Sequence, residues 1–144
     1  MSAGESGMGR PEPNASRDSA FFWRGLREGQ LLAQRCGNCE RWRHPPRPFC
    51  PHCHSPEWRA APLSGRGRVY SWIKPVHPPL PMFESDLLIA LIDLDEGIRL
   101  LSNLRDVSEH SVHNEMAVEV CFLRVGDSGA QLHQFRPLAE SPDD

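Results

Sequence analysis

The chain has 144 residues, a formal net charge of −3 and 39% hydrophobic residues, enough for one domain, or for one domain with a small module. Its longest apolar run, Leu87 to Ile92, is far too short to cross a bilayer. The first residues lack the apolar core of a secretory signal, so a cytoplasmic protein is expected.

Residues 1–17 are rich in Gly, Ser, Pro and Glu and read as a disordered leader. Asp18 or Ser19 can cap a helix within residues 18–29, and Gly29 is a natural stop. The helix carries Phe21, Phe22, Trp23 and Leu26. Phe22 and Leu26 share a face, while Phe21 and Trp23 spread sideways. Three adjacent aromatics fit either docking onto the chain's own sheet or insertion into a partner subunit.

Residues 30–60 hold the strongest signal in the chain. Cys36-Gly37-Asn38-Cys39 and Cys50-Pro51-His52-Cys53 are two Cys-x-x-Cys knuckles separated by ten residues. Such knuckles place four thiolates tetrahedrally around one zinc ion, with Zn–S near ~2.3 Å. Four thiolates fill the shell, so a structural role is expected, with Cys36, Cys39, Cys50 and Cys53 as ligands. Disulfides need an oxidising compartment, and a redox dithiol needs one pair, not two. A rubredoxin-like iron site uses similar knuckles, and sequence alone does not separate it from zinc. Pro45, Pro46 and Pro48 suppress helix between the knuckles. Cys121 stands alone in an apolar stretch and reads as a buried, inert thiol.

Residues 61–138 read as β-structure. Candidate strands are Arg68 to Val76, Asp86 to Leu94, Ile98 to Leu104, a segment around Val118 to Phe122, and Ala130 to Arg136. Asp95-Glu96-Gly97 makes a hairpin turn. The segment Asp86 to Leu94 is apolar on both faces, which suits a central or barrel strand. Five short strands, glycine turns and no long helix predict a small antiparallel barrel of OB type. Residues 139–144 read as a frayed tail.

Charge is unevenly distributed. Between Arg17 and Lys74 there are eleven basic and four acidic residues; from Pro75 onward there are four basic and thirteen acidic. Arg35, Arg41, Arg43 and Arg47 flank the cysteines. They either offset the negative charge of a zinc tetrathiolate or bind an anionic ligand.

Several motifs together carry a family resemblance: Phe-Trp-Arg-Gly-Leu-Arg-Glu-Gly (Phe22 to Gly29), Cys-Gly-Asn-Cys, Pro-Pro-Arg (Pro45 to Arg47), Cys-Pro-His-Cys, Gly-Arg-Gly-Arg-Val-Tyr-Ser (Gly65 to Ser71) and Leu-Asp-Glu-Gly-Ile-Arg-Leu (Leu94 to Leu100). In this order they resemble the zinc-ribbon/OB-fold acyl-CoA-associated proteins, long known as a domain of unknown function. The resemblance implies a mainly β chain: an N-terminal helix, a rubredoxin-like zinc ribbon, then an OB-fold barrel. One departure is His54, where the family often has glycine after the last cysteine; it should alter a turn and not the metal.

The resemblance also implies a non-catalytic accessory subunit with one structural Zn2+ per chain. Such a subunit stabilises a thiolase-like enzyme (a thiolase or a lipid-transfer-protein-like aldolase) and helps hold the acyl-CoA, in steroid side-chain or fatty-acid metabolism. A MaoC-like enoyl-CoA hydratase is the alternative partner, and a hetero-oligomer is expected either way. Under this reading Arg41, Arg43 and Arg47 are the CoA-phosphate candidates. Pro81, Met82 and Phe83 are candidate acyl contacts, and Phe21, Phe22, Trp23 and Leu26 the candidate partner interface. No nucleophile–base order or nucleotide loop accompanies the seven histidines, so no catalytic residue is expected. His110 and His113 are three apart but lack a third ligand. An OB-fold nucleic-acid binder is the reading from a different class. It is disfavoured because an acidic barrel repels a phosphate backbone. An iron-bearing electron carrier is a third.

Overall fold

The computed structural model describes residues 9–139. Helix α1 spans Ala20–Arg27. A three-stranded antiparallel sheet follows, built from β1 (Leu32–Cys36), β2 (Trp42–Arg43) and β3 (Trp58–Pro62) in the order β2-β1-β3. Five strands then close a barrel in the order β4-β5-β6-β8-β7: β4 (Arg66–Ile73), β5 (Leu88–Leu94), β6 (Arg99–Leu104), β7 (Ala117–Arg124) and β8 (Gln131–Pro137). Every barrel pairing is antiparallel except the β6–β8 seam, where Leu104 lies opposite Phe135 in parallel. This is the OB-fold closure, and that one parallel seam is what the expectation of an antiparallel barrel did not include.

Alternation along β5 explains its double apolar face. Leu88, Ala90, Ile92 and Leu94 point into the barrel and are buried with Val69, Leu100, Val118 and Phe135. Ile89 and Leu91 face outward and are only half-buried. Gly67 allows the β4–β5 crossing to close, because a Cβ there would stand 2.4 Å from the Asp93 carbonyl oxygen.

Helix α1 stops as Gly29 predicts. Gly29 adopts φ 74° and donates to the Leu26 carbonyl at 3.0 Å, while the Gln30 amide reaches the Gly25 carbonyl at 2.9 Å. That pair of bonds is a Schellman ending. Ser19 occupies the N-cap, but its hydroxyl pairs with Ser16 and not with a helix amide. Gln131 Nε2 donates to the Leu26 carbonyl at 2.7 Å and Arg27 Nη1 to the Ser128 carbonyl at 2.6 Å, tying the helix to the barrel.

The helix aromatics turn inward. Phe22 is 7% and Leu26 0% exposed, both within the main core, and Phe21 and Trp23 pack against it. The expectation that Phe22 and Leu26 form a partner interface is therefore corrected: the barrel's own apolar surface covers them. Each such side chain contributes about 1.5–3 kcal/mol by leaving water.

The segment expected as a leader is partly placed. Arg10 pairs with Glu84 at 2.6 Å and its guanidinium lies 4.8 Å from the Phe83 ring centroid. Glu12 accepts a hydrogen bond from Ser128. Residues 1–8 and 140–144, including most of the expected tail, lie outside the described residues. Among the described residues no helix is long and apolar enough to cross a membrane.

Candidate metal centre and its surroundings

β1 ends on Cys36, which places the first knuckle at the tip of the ribbon sheet. The second knuckle folds against it. Cys36 Sγ lies 3.5 Å from Cys53 Sγ, and Cys39 Sγ lies 3.6 Å from Cys50 Sγ. All four sulfurs fall within 4.8 Å of one another. Tetrahedral bonds of ~2.3 Å require sulfurs about 3.8 Å apart, so the cluster fits a single tetrathiolate ion. Among the described residues no other group of metal-type side chains converges in this way.

Both knuckles aim backbone N–H groups at sulfur. Asn38 and Cys39 donate to Cys36 Sγ at 3.4 and 3.5 Å, and His52 and Cys53 donate to Cys50 Sγ at 3.4 and 3.5 Å. The Cys39 amide, helped by that of Asn38, holds the Cys36 thiol down to about 6 against the opposing effect of burial. Cys50 is lowered in the same way, first by the Cys53 amide. Cys39 is pushed up to about 11: the Arg41 amide draws it down, but desolvation and the neighbouring thiols outweigh it. Backbone amides aimed at Cys36 and Cys50 favour their thiolates, the form in which cysteine binds a metal.

The residue after each knuckle is left-handed. Glu40 follows Cys39 at φ 67° and His54 follows Cys53 at φ 65°. His54 therefore stands in a conformation that favours glycine. Glu40 is anchored by Arg59 at 2.7 Å and by Arg35 at 3.6 Å.

The flanking arginines separate into different roles. Arg43 is 1% exposed, and its guanidinium donates to the carbonyls of Arg47, Ser55 and Glu57 at 3.1, 3.3 and 3.2 Å. It braces the second knuckle from within, so its expected role as a CoA-phosphate contact is corrected. Arg41 is exposed and donates to His52 Nδ1 at 2.8 Å. Arg47 is also exposed; its backbone amide is held by Gln34 Oε1 at 2.8 Å. Its side chain lines a pocket of about 280 Å³ with Arg17, Arg24, Phe21 and Trp58. Arg17 and Arg24 were not singled out from sequence, although Arg17, Phe21 and Arg24 have the i, i+4, i+7 spacing of one helix face.

Pro81, Met82 and Phe83 sit together in the exposed β4–β5 loop. Cys121 is buried, and desolvation raises its thiol. His133 lies under α1, with Nδ1 2.8 Å from Ser102 Oγ and its ring 5.5 Å from Phe22. Burial, then the proximity of His44, lowers its pKa to about 4.

Fold and cysteine cluster together define a ribbon-and-barrel protein with a tetrathiolate metal site. The chain belongs to the ChsH2 family: residues 23–59 match the ChsH2 rubredoxin-like zinc ribbon domain and residues 60–123 the ChsH2 C-terminal OB-fold domain.

Its relatives include a "Probable enoyl-CoA hydratase alpha subunit" of Thermomonospora curvata, 41% identical over 89% of this chain and 40% of the relative. The 3-oxo-4,17-pregnadiene-20-carboxyl-CoA hydratase alpha subunit of Mycobacterium tuberculosis is 35% identical over 80% of this chain and 37% of that one. The chain therefore spans about two fifths of the length of these hydratase subunits. A DUF35 domain-containing scaffold protein of Methanocaldococcus jannaschii is 34% identical over 81% of this chain and 88% of its own length. The solved Ltp2-ChsH2(DUF35) aldolase contains a chain that superimposes with a TM-score of 0.81 at 40% identity, covering 87% of this chain and 98% of that one.

Proposed function

We propose that the chain is a non-catalytic accessory subunit that binds and stabilises a thiolase-like acyl-CoA enzyme and helps hold the acyl-CoA. The match to nearly the full length of a chain in the Ltp2-ChsH2(DUF35) aldolase carries this reading. A lipid-transfer-protein-like aldolase or a thiolase is the partner, in a cytoplasmic hetero-oligomer. The hydratase relatives favour a second reading, in which the partner is a MaoC-like hydratase.

In either assembly the ion is one structural zinc per chain, held by Cys36, Cys39, Cys50 and Cys53. When bound it supplies a cross-link between the two knuckles and no open coordination position. The chain's own groups do the rest. Amides of both knuckles polarise the sulfurs, and Arg43 holds the loop carbonyls that shape the site.

Exposed apolar side chains suit a partner surface. Ile73 and Leu101 are about three fifths exposed on the outer barrel wall, and Val76, Leu80, Met82 and Phe83 are exposed in the loop after β4. Pro81, Met82 and Phe83 remain the acyl-side candidates.

Co-expression with the native host's thiolase-like enzyme tests the proposal. Turnover of acyl-CoA by that enzyme should depend on this chain, and the two should co-elute with one zinc per accessory subunit. Equal turnover without the chain, and no co-elution, would contradict it.

A further inference from the structure

We infer that the pocket between α1 and the ribbon binds the phosphorylated nucleotide end of an acyl-CoA, with Arg17, Arg24 and Arg47 contacting phosphate and Trp58 facing the base. The inference deepens the acyl-CoA reading above and rests on it for the identity of the ligand.

Pairing among the cations points to this pocket. The chain has sixteen lysine and arginine residues. Eleven of their side chains are engaged among the described residues, among them Arg10 with Glu84, Arg59 with Glu40, Lys74 with Glu109, Arg99 with Asp93 and Arg136 with Glu119, while Arg43 holds carbonyls; Arg66 and Arg124 have no such partner there, but neither lines the pocket. Arg17, Arg24 and Arg47 form no ion pair or side-chain hydrogen bond among the described residues, yet all three line one pocket of about 280 Å³. Asp18 is the pocket's one acidic residue, so its lining carries net positive charge. Like charges gathered without partners disfavour the empty site and favour an anion.

Position and shape narrow the ligand. Arg24 projects from the helix, Arg17 from the turn before it and Arg47 from the loop between the knuckles, so the guanidiniums approach from different elements. The Arg47 backbone is held on both sides, by Gln34 at its amide and by Arg43 at its carbonyl. Arg43 is thus a positioning residue, and its buried guanidinium sets where Arg47 stands. Phe21 and Trp58 wall the pocket with ring centroids 4.9 Å apart, and Trp58 is 39% exposed. An open indole beside guanidiniums suits a purine next to its phosphates. The volume lies at the lower edge of small-molecule sites, roughly 300–1,000 Å³, so it takes one end of CoA and leaves the pantetheine arm free to reach a partner.

Calorimetric titration of the full-length, metal-loaded chain with CoA, dephospho-CoA and pyrophosphate tests the assignment. CoA should bind saturably, pyrophosphate should compete, and dephospho-CoA should bind more weakly. Arg24→Gln with Arg47→Gln should weaken CoA by roughly tenfold per guanidinium. Trp58→Ala should weaken CoA but leave pyrophosphate unchanged. Arg17→Gln with Arg24→Gln gives a second variant that leaves the knuckle loop untouched, and metal content checks the fold of each.

Equal CoA affinity in wild type and both double variants, or no saturable CoA binding at all, would overturn the inference. So would Arg24- and Arg47-dependent binding of a single-stranded oligonucleotide in the absence of CoA binding. Co-elution of the same variants with the thiolase-like enzyme separates the two claims. Variants that co-elute without any CoA defect refute the pocket alone, whereas a wild-type chain that never co-elutes refutes the accessory reading alone.

Discussion

Arg43 Nη1 donates to the carbonyl of Arg47 at 3.1 Å, so one arginine of the ribbon buries its charge to hold another at the surface. The same guanidinium also gathers the Ser55 and Glu57 carbonyls. A buried cation is tolerated where several acceptors replace water.

Replacing Arg43 should therefore act on stability before it acts on any ligand. Arg43→Met leaves three carbonyls without their donor and should cost about 3 kcal/mol. Chemical denaturation measures the loss, and metal transfer to a chelator should become faster. A variant of unchanged stability would mean that water replaces the guanidinium without penalty.

Metal removal should unravel the ribbon selectively. The segment between the knuckles has three prolines and little apolar core, so metal binding supplies much of its folding free energy. In Cys50→Ser, hydrogen exchange should accelerate across residues 32–62 while the barrel amides between Val69 and Phe135 stay protected. Uniform protection in the metal-free variant would contradict the role of the centre as a cross-link.

Phe22 is a core residue of the barrel–helix junction, not a partner anchor. Phe22→Ala should destabilise the isolated chain by about 3–5 kcal/mol, as large-to-small changes do in cores. A thermal melt of the uncomplexed variant suffices; an unchanged melting temperature together with a lost complex would restore the interface role.

His133 gives the junction a pH dependence. Its pKa falls from 6.5 to about 4 because burial penalises the imidazolium. The unfolded chain then binds more protons than the folded one between those values, so this contribution is intact above about pH 6.5 and is lost as pH falls toward 4. A shift of this size corresponds to about 3 kcal/mol. His133→Asn keeps a polar partner for Ser102 and should lose less stability than wild type between pH 7.5 and pH 5. Equal losses would show that His133 does not titrate with folding.

The parts legible in the sequence are those set by local rules. Two knuckles at fixed spacing announce the metal centre, Gly29 announces the end of α1, and the doubly apolar segment Asp86 to Leu94 announces a barrel strand, found at Leu88–Leu94. The parts that were not legible depend on which face a residue takes. Arg43 and Arg47 look alike in sequence, and only the pairing of β2 on β1, with Arg43 opposite the buried Gln34, sends one inward. Phe22 and Leu26 suit a foreign surface or an internal one equally well until β8 is in place beneath them. Arg17 and Arg24 carry no motif, because their convergence with Arg47 is made by tertiary packing of α1 against the ribbon.

The accessory role itself is tested most directly by tagging the chain in its native host and determining the composition of the purified complex by native mass spectrometry. The account predicts a stoichiometric thiolase-like or MaoC-like subunit and one zinc ion per copy of this chain. A homogeneous chain with no enzyme subunit, or one carrying iron in place of zinc, would contradict it.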